Sequence, residues 1–139
     1  MKNDLRPRLI TLPKIGDSEI GFISLLENDK LPFVPKRIYW TYNIPKNLVR
    51  GKHAHKSLEQ IIIAVYGVIE FNLETIDGEK YSFTLDNPNV GLFIPKMTWR
   101  ELNFQKGAIQ VCIAGEAYLE ADYVRNYNQF LEMKTRFKN

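Results

Sequence analysis

Apolar and polar residues alternate in short runs along most of this chain, and turn-forming residues break the runs at close intervals. Alternation with a period of two puts every second side chain on a common face, the mark of a strand with one buried side. The runs predict strands at Arg8–Leu12, Ile20–Leu26, Lys36–Asn43, Leu58–Tyr66, Val68–Ile76, Lys80–Leu85, Gly91–Ile94, Thr98–Phe104 and Ala108–Ala114. Asp77-Gly78 between two of them predicts a two-residue hairpin, because a type I′ turn needs φ > 0 at both central positions. Pro32, Pro35, Pro45, Pro88 and Pro95 fall between runs or at their edges, where a missing N–H does least harm. The period lengthens only in the tail. From Glu120 to Phe137, Tyr123, Tyr127, Phe130 and Leu131 recur at spacings of three and four, with Asp122 early and Lys134, Arg136 and Lys138 late. That predicts one amphipathic helix whose charges suit its dipole. Many short strands and one closing helix predict an all-β sandwich or barrel of the jelly-roll kind.

Composition narrows this little. A length of 139 residues fits one domain spanning 1–139, and 45% hydrophobic with 25% charged residues is ordinary for a globular chain. The net charge of +3 is spread out, with no basic run, so it does not argue for nucleic acid; it suits a compact anionic ligand in one pocket. Met1 to Arg8 has no apolar signal core, and no run approaches the ~18 apolar residues of a membrane helix. The single cysteine, Cys112, sits in an apolar run and cannot form an internal disulfide, consistent with a reducing compartment. These features lead us to expect a cytoplasmic protein with no membrane partner.

Candidate chemistry concentrates in Arg50-Gly51-Lys52-His53-Ala54-His55-Lys56-Ser57-Leu58-Glu59-Gln60, just ahead of the apolar run that ends at Gly67. The only two histidines of the chain stand here, two positions apart, so on a strand they leave the same face. Two converging imidazoles suit proton transfer or metal binding. The spacing His-x-His, a polar residue and then glycine resembles the first motif of the cupin superfamily. In metal-binding cupins that motif supplies two His and one Glu, and a later motif supplies a third His. Here Gln60, an amide, occupies the Glu slot, and Gly91 to Glu101 carries the expected glycine and proline but no histidine. A catalytic metal usually wants three protein ligands. Glu59 or Glu101 could complete such a set, but a barrel without metal that uses its histidines directly is the better expectation.

Over most of its length the chain resembles the dTDP-sugar 3,4-ketoisomerases, small WxcM-like cupins with an RmlC-like barrel. The resemblance rests on Pro32-Phe33, Lys36-Arg37-Ile38-Tyr39, the histidine segment, Leu85-Asp86-x-Pro88-x-Val90-Gly91-Leu92, Trp99-Arg100-Glu101 and Tyr118-x-Glu120-x-Asp122-Tyr123-Val124-Arg125-x-Tyr127-x-x-Phe130. It implies a homodimer without metal or other cofactor that moves the carbonyl of dTDP-4-keto-6-deoxy-D-glucose from C4 to C3, a step toward amino-dideoxy sugars of bacterial surface glycans. Such a shift takes the proton from C3, passes through an enediol and protonates C4. Two imidazoles titrating near neutrality can divide that labour, and each well-placed acid or base contributes ~10²–10⁴ in rate. His53 is the expected C3 base and His55 the shuttle between the sugar oxygens, although the sequence cannot order them. Arg37, Tyr39, Arg50, Lys56, Gln60, Trp99 and Glu101 are the expected substrate-binding residues.

Two positions depart from or refine the pattern. Trp40 replaces a frequent Tyr and lies off the Tyr39 face. Arg100 stands where relatives that leave an axial C4 hydroxyl (fucose-type) look to carry His, so it favours the equatorial, quinovose-type product and joins His53 and His55 as a catalytic candidate. The N-terminal counterpart of that choice falls near Glu19-Ile20-Gly21, where neither type's residue appears. The N-terminal strands precede the main body and could pair across a two-fold interface, giving a homodimer with exchanged strands. Alternative readings are the axial product, a dTDP-sugar 3,5-epimerase, a metal-dependent cupin oxygenase and a non-catalytic sugar-nucleotide-binding cupin.

Overall fold

A computed structural model describes residues 6–139; Met1 to Leu5, part of the stretch read above as lacking a signal core, lie outside the described residues. Ten strands precede one α-helix: β1 (Arg8–Thr11), β2 (Lys14–Asp17), β3 (Gly21–Ser24), β4 (Arg37–Thr41), β5 (Val49–His55), β6 (Gln60–Thr75), β7 (Lys80–Leu85), β8 (Val90–Ile94), β9 (Thr98–Ala114), β10 (Tyr123–Val124) and α1 (Tyr127–Lys138). The result is the jelly-roll barrel the alternation predicts. No helix among the described residues is long and apolar enough to cross a membrane.

Four predicted strands fuse into two. Leu58–Tyr66 and Val68–Ile76 are halves of β6, and Thr98–Phe104 and Ala108–Ala114 are halves of β9. The two long strands pair antiparallel along their length, with register shifts around Val65 and Gly67 where the ladder bends. Gly67 at φ 73° faces Lys106 and Gly107 at φ 55° and 67°, and a Cβ on Gly67 would stand 2.6 Å from the Ala108 Cα. Only glycine fits that corner. The bend lets each long strand serve both walls. The first half of β6 and second half of β9 join β8, β1 and β4; the other halves join β7, β5 and β10. Ile62, Phe71, Leu85, Ile94, Leu102 and Phe104 fill the space between the walls.

Other differences have local causes. The β6–β7 hairpin forms, but Thr75 N bonds Glu79 O, which leaves a three-residue loop in which Gly78 alone is at positive φ (92°). A glycine at that last position is what such loops require. The helix begins at Tyr127, not Glu120, because Asn126 caps it by accepting from Gln129 N at 3.2 Å. Tyr123 and Val124 instead pair as a short strand with His55 and Ala54. Phe130 of α1 seals an outer cluster with Trp99, Ile76 and Val124. On the opposite wall, Leu12, Leu26, Leu31 and Phe33 cover the outward residues Ile61, Ile63 and Phe93. Strand β1 pairs with β8 of its own chain, whereas β2 and β3 pair only with each other and stand off the barrel with every residue exposed.

Candidate active site

The inward stripes that build the core turn polar at one end of the barrel. Arg37 and Tyr39 come from β4, Arg50, His53 and His55 from β5, Gln60 from β6 and Arg100 from β9. Arg37, Tyr39, Arg50, His53, Tyr123 and Arg125 line an open cavity of about 520 Å³. A recess of about 70 Å³ continues inward from it, with Tyr39, His53, Gln60 and Arg100 among its walls.

The histidines lie within a strand of their own rather than ahead of one. In β5, Arg50 faces Leu102 and His53 faces Arg100, so one residue too many separates them and the register shifts between Gly51 and His53. Gly51 (φ 83°) and Lys52 (φ 56°) take up the surplus as a bulge. Arg50 and His53, three apart, therefore both look inward, since their partners Leu102 and Arg100 are two apart on one face. Lys52 is turned outward into a different groove.

The two imidazoles meet edge to face, with ring centres 4.8 Å apart and planes at 83°. His53 Nδ1 is 3.0 Å from Gly51 O. His55 is 2% exposed, and its Nδ1 lies 3.5 Å from Asp122 Oδ2, within ion-pair range but short of a hydrogen bond. Asp122 is itself fixed, accepting from the Ser57 and Leu58 backbone N–H groups at 2.8 and 3.2 Å. Tyr123 packs against both imidazoles, its ring centre 5.1 Å from His53 and 4.3 Å from His55. Burial first, and the Arg100 charge second, lower the His53 pKa to about 4 and His55 further in the same direction. The proton-transfer chemistry led us to expect groups titrating near neutrality; both are instead shifted downward, neutral at pH 7 and so ready to accept a proton.

Arg100 is 2% exposed, and burial lowers its pKa from the usual guanidinium value. Nη1 donates to Gln60 Oε1 and Nη2 to Thr98 O at 3.2 Å, while Nε has no partner. A buried cation bonded to an amide and a carbonyl keeps its charge available to an anionic guest. Gln60 Nε2 in turn donates to Tyr39 Oη at 3.0 Å, and burial raises the Tyr39 pKa well above its usual value.

The predicted residues thus divide. His53, Arg100, Arg37, Tyr39, Arg50 and Gln60 line the cavity or its recess, and His55 packs against His53 behind that wall. Trp99 and Glu101 flank Arg100 on β9 and face the other way, into a larger groove of about 710 Å³ that they share with Lys52, Lys80 and Tyr127. Lys56 is exposed and lines neither space. Trp40 is exposed on the outer side of β4. Glu59 is drawn to Lys96, and among the described residues no three His, Cys, Asp or Glu side chains are grouped to hold a metal ion. The present donor set, two imidazoles beside an amide and a guanidinium, fits a metal poorly. Sequence reasoning missed Asp122, Tyr123 and Arg125 as site residues, because the spacing of the tail assigned them to a helix. Arg125 lies over the Tyr123 ring at 4.0 Å and bonds Glu120 at 2.7 and 3.0 Å.

Comparison with known proteins fits this geometry. The FdtA profile, described as WxcM-like, C-terminal, matches residues 5–135. The TDP-4-oxo-6-deoxy-alpha-D-glucose-3,4-oxoisomerase of Aneurinibacillus thermoaerophilus is 34% identical over 125 residues, 88% of each chain. The sugar 3,4-ketoisomerase QdtA from Thermoanaerobacterium thermosaccharolyticum, solved in complex with TDP, is 36% identical with a TM-score of 0.86, over 94% of this chain and 96% of that one. The TDP-quinovose 3,4-ketoisomerase WlaRB from Campylobacter jejuni is also 36% identical, with a TM-score of 0.83 over 95% and 99%.

Proposed function

The chain belongs to the FdtA family of WxcM-like, C-terminal proteins, and from that premise we propose that it is a 3,4-ketoisomerase of dTDP-4-keto-6-deoxy-D-glucose, yielding dTDP-3-keto-6-deoxy-D-glucose. The observation that carries this reading is the pair of neutral imidazoles in edge-to-face contact, with His53 on a cavity and recess whose other walls bear Arg37, Tyr39, Arg50 and Arg100, and His55 buried behind it. A base must be unprotonated before it can take the C3 proton, and the cationic wall opposes charging of either ring while no substrate is bound. When the enediolate forms, its negative charge meets Arg100 in a space largely closed to water, where that attraction is strongest.

His53, nearer the open cavity, takes the proton from C3. His55, deeper and steadied by Asp122, passes a proton between the C4 and C3 oxygens. Arg37, Arg50 and Arg125 at the mouth suit the pyrophosphate, since a guanidinium can grip phosphate through two bonds at once. Arg100 orients the enediol for protonation of C4 on the face that leaves the hydroxyl equatorial, in keeping with the likeness to a quinovose-type relative. A nucleotide-activated substrate and a lone buried thiol suit the cytoplasm.

The β2–β3 hairpin supports a two-fold homodimer. Ile15, Ile20, Phe22 and Ile23 are exposed on it, and Ile38 and Trp40 of β4, with Tyr42 just beyond it, form an exposed apolar stripe on the barrel. With β1 paired inside its own chain, this hairpin is the element free to cross to a second copy.

The test is incubation with dTDP-4-keto-6-deoxy-D-glucose followed by NMR of the product. We expect a C3 ketone with an equatorial C4 hydroxyl, and near-complete loss of turnover in His53→Asn and in His55→Asn with dTDP affinity little changed. An unchanged substrate overturns the reaction; an axial C4 hydroxyl overturns only the stereochemical part.

A further inference from the structure

Gln60 occupies a slot from which it reaches no solvent, being 2% exposed, yet it joins two of the cavity's polar groups. Its Oε1 accepts from Arg100 and its Nε2 donates to Tyr39 Oη. A guanidinium has donors only, so the amide cannot be reversed: its oxygen must face Arg100 and its NH₂ must face Tyr39. A tyrosine hydroxyl that accepts from an amide still has its own O–H to give. Arg100 cannot take it. Directly opposite Tyr39 across the β4–β9 ladder stands the buried Cys112, whose sulfur can be only a weak acceptor for that O–H. A sugar oxygen entering the cavity therefore meets an O–H that no strong acceptor holds.

We propose that Gln60 is a positioning residue that touches no substrate: by donating to Tyr39, it fixes that hydroxyl as a hydrogen-bond donor to the sugar oxygen that becomes negative in the enediolate. This rests on the ketoisomerase reading above. The fixed charge of Arg100 draws on the amide oxygen and so sharpens the amide's donation at its other end, one bond polarising the next. A carboxylate in the same slot would do the reverse. It would accept from Arg100 and from Tyr39 alike, and would turn the tyrosine O–H away from the sugar. The neutrality of this position is then a requirement of the chemistry.

Gln60→Glu has the same shape, keeps the bond to Arg100 and reverses the bond to Tyr39, while also setting a negative charge beside the guanidinium. With dTDP-4-keto-6-deoxy-D-glucose we expect kcat to fall about 10²-fold, the usual effect of losing one oxyanion donor, with KM little changed. Tyr39→Phe should lose a similar factor, and Gln60→Glu should cost less in that background than in the wild type, because the part of its effect that passes through the hydroxyl is already gone. Gln60→Met, which retains the volume, loses both bonds and adds no charge, serves as the second variant and should likewise cost less in the Tyr39→Phe background than in the wild type. Unchanged kcat in Gln60→Glu, or an equal loss with and without the Tyr39 hydroxyl, overturns the proposal. A readout without turnover separates the two readings: with tyrosine labelled at ¹³Cζ, the signal that vanishes in Tyr39→Phe should move in Gln60→Glu. If it moves in a protein that isomerises nothing, the ketoisomerase reading falls and the hydrogen-bond direction stands; if it does not move, the proposal falls whatever the activity.

Discussion

His53 and His55 show how a site sets a protonation state before any substrate arrives. Burial, and after it the Arg100 charge, hold His53 at a pKa of about 4 and His55 lower. In the unfolded chain both return to the ordinary value near 6.5. We therefore expect kcat/KM to stay level from pH 8 to below 6, with its acid limb displaced under the usual histidine range; a limb centred at 6.5 or above contradicts this. The sign for stability follows from the same shift. Where the unfolded state binds more protons than the native one, stability rises with pH. It is fully present above about 6.5 and is lost as pH falls toward 4, so urea midpoints should drop across that window, and His53→Asn should flatten the drop. Among single residues, His53, His55, Arg100, Tyr39 and Gln60 were legible in the sequence because each carries distinctive chemistry in a recognisable spacing. Asp122 and Tyr123 were not. Their roles depend on where the chain returns after β9, which local periodicity does not encode.

The bulge at Gly51 and Lys52 is the element-scale counterpart. It breaks the alternation of β5 so that Arg50 and His53 share the inner face. Gly51 holds φ 83°, and a Cβ there would lie 2.8 Å from Arg100 O. Gly51→Ala should cost about 1–3 kcal/mol through the strained backbone and should lower activity by disturbing Arg50, His53 and Arg100 together. Thermal unfolding and kcat check both; an unaltered Tm would show that the ladder yields there freely. The bulge also explains why β5 escaped the hydrophobic pattern while β6 and β9 did not. A strand facing a polar cavity carries Arg and His where a core strand carries Ile and Leu, and an extra residue removes what period remains. Functional strands are where sequence pattern and structure part company. The opposite error arose at Gly67, where a bend within one strand reads as a break between two.

At the scale of the whole molecule, the barrel leaves apolar surface uncovered. A two-stranded hairpin is at best marginal alone in water, and one with Ile15, Ile20, Phe22 and Ile23 exposed has reason to seek a second surface. We expect sedimentation velocity at micromolar concentration to give a stable dimer, and Ile15→Asp with Ile23→Asp to give a folded monomer. A wild-type monomer would leave the hairpin without its proposed partner. Of the molecular plan, the barrel could be read from alternation and its closing helix from the longer period of the tail. The hairpin could not be placed, since nothing in its short, glycine-bounded strands says what lies opposite.

The contacts that fix the cavity have a further meaning when measured along the chain instead of across it. Gln60 reaches back 21 residues to Tyr39 and forward 40 to Arg100, while Asp122 grips the turn after His55 from 64 and 65 residues away. Loop closure grows costlier only slowly with such distances, by about 0.6 kcal/mol for each doubling, yet every loop must close before its contact returns anything. Both histidines precede by more than sixty residues the segment that packs against them. The Arg100–Gln60–Tyr39 network can close once β9 is in place, but the imidazoles are walled in only by the later segment that brings Tyr123 and Asp122 back to β5.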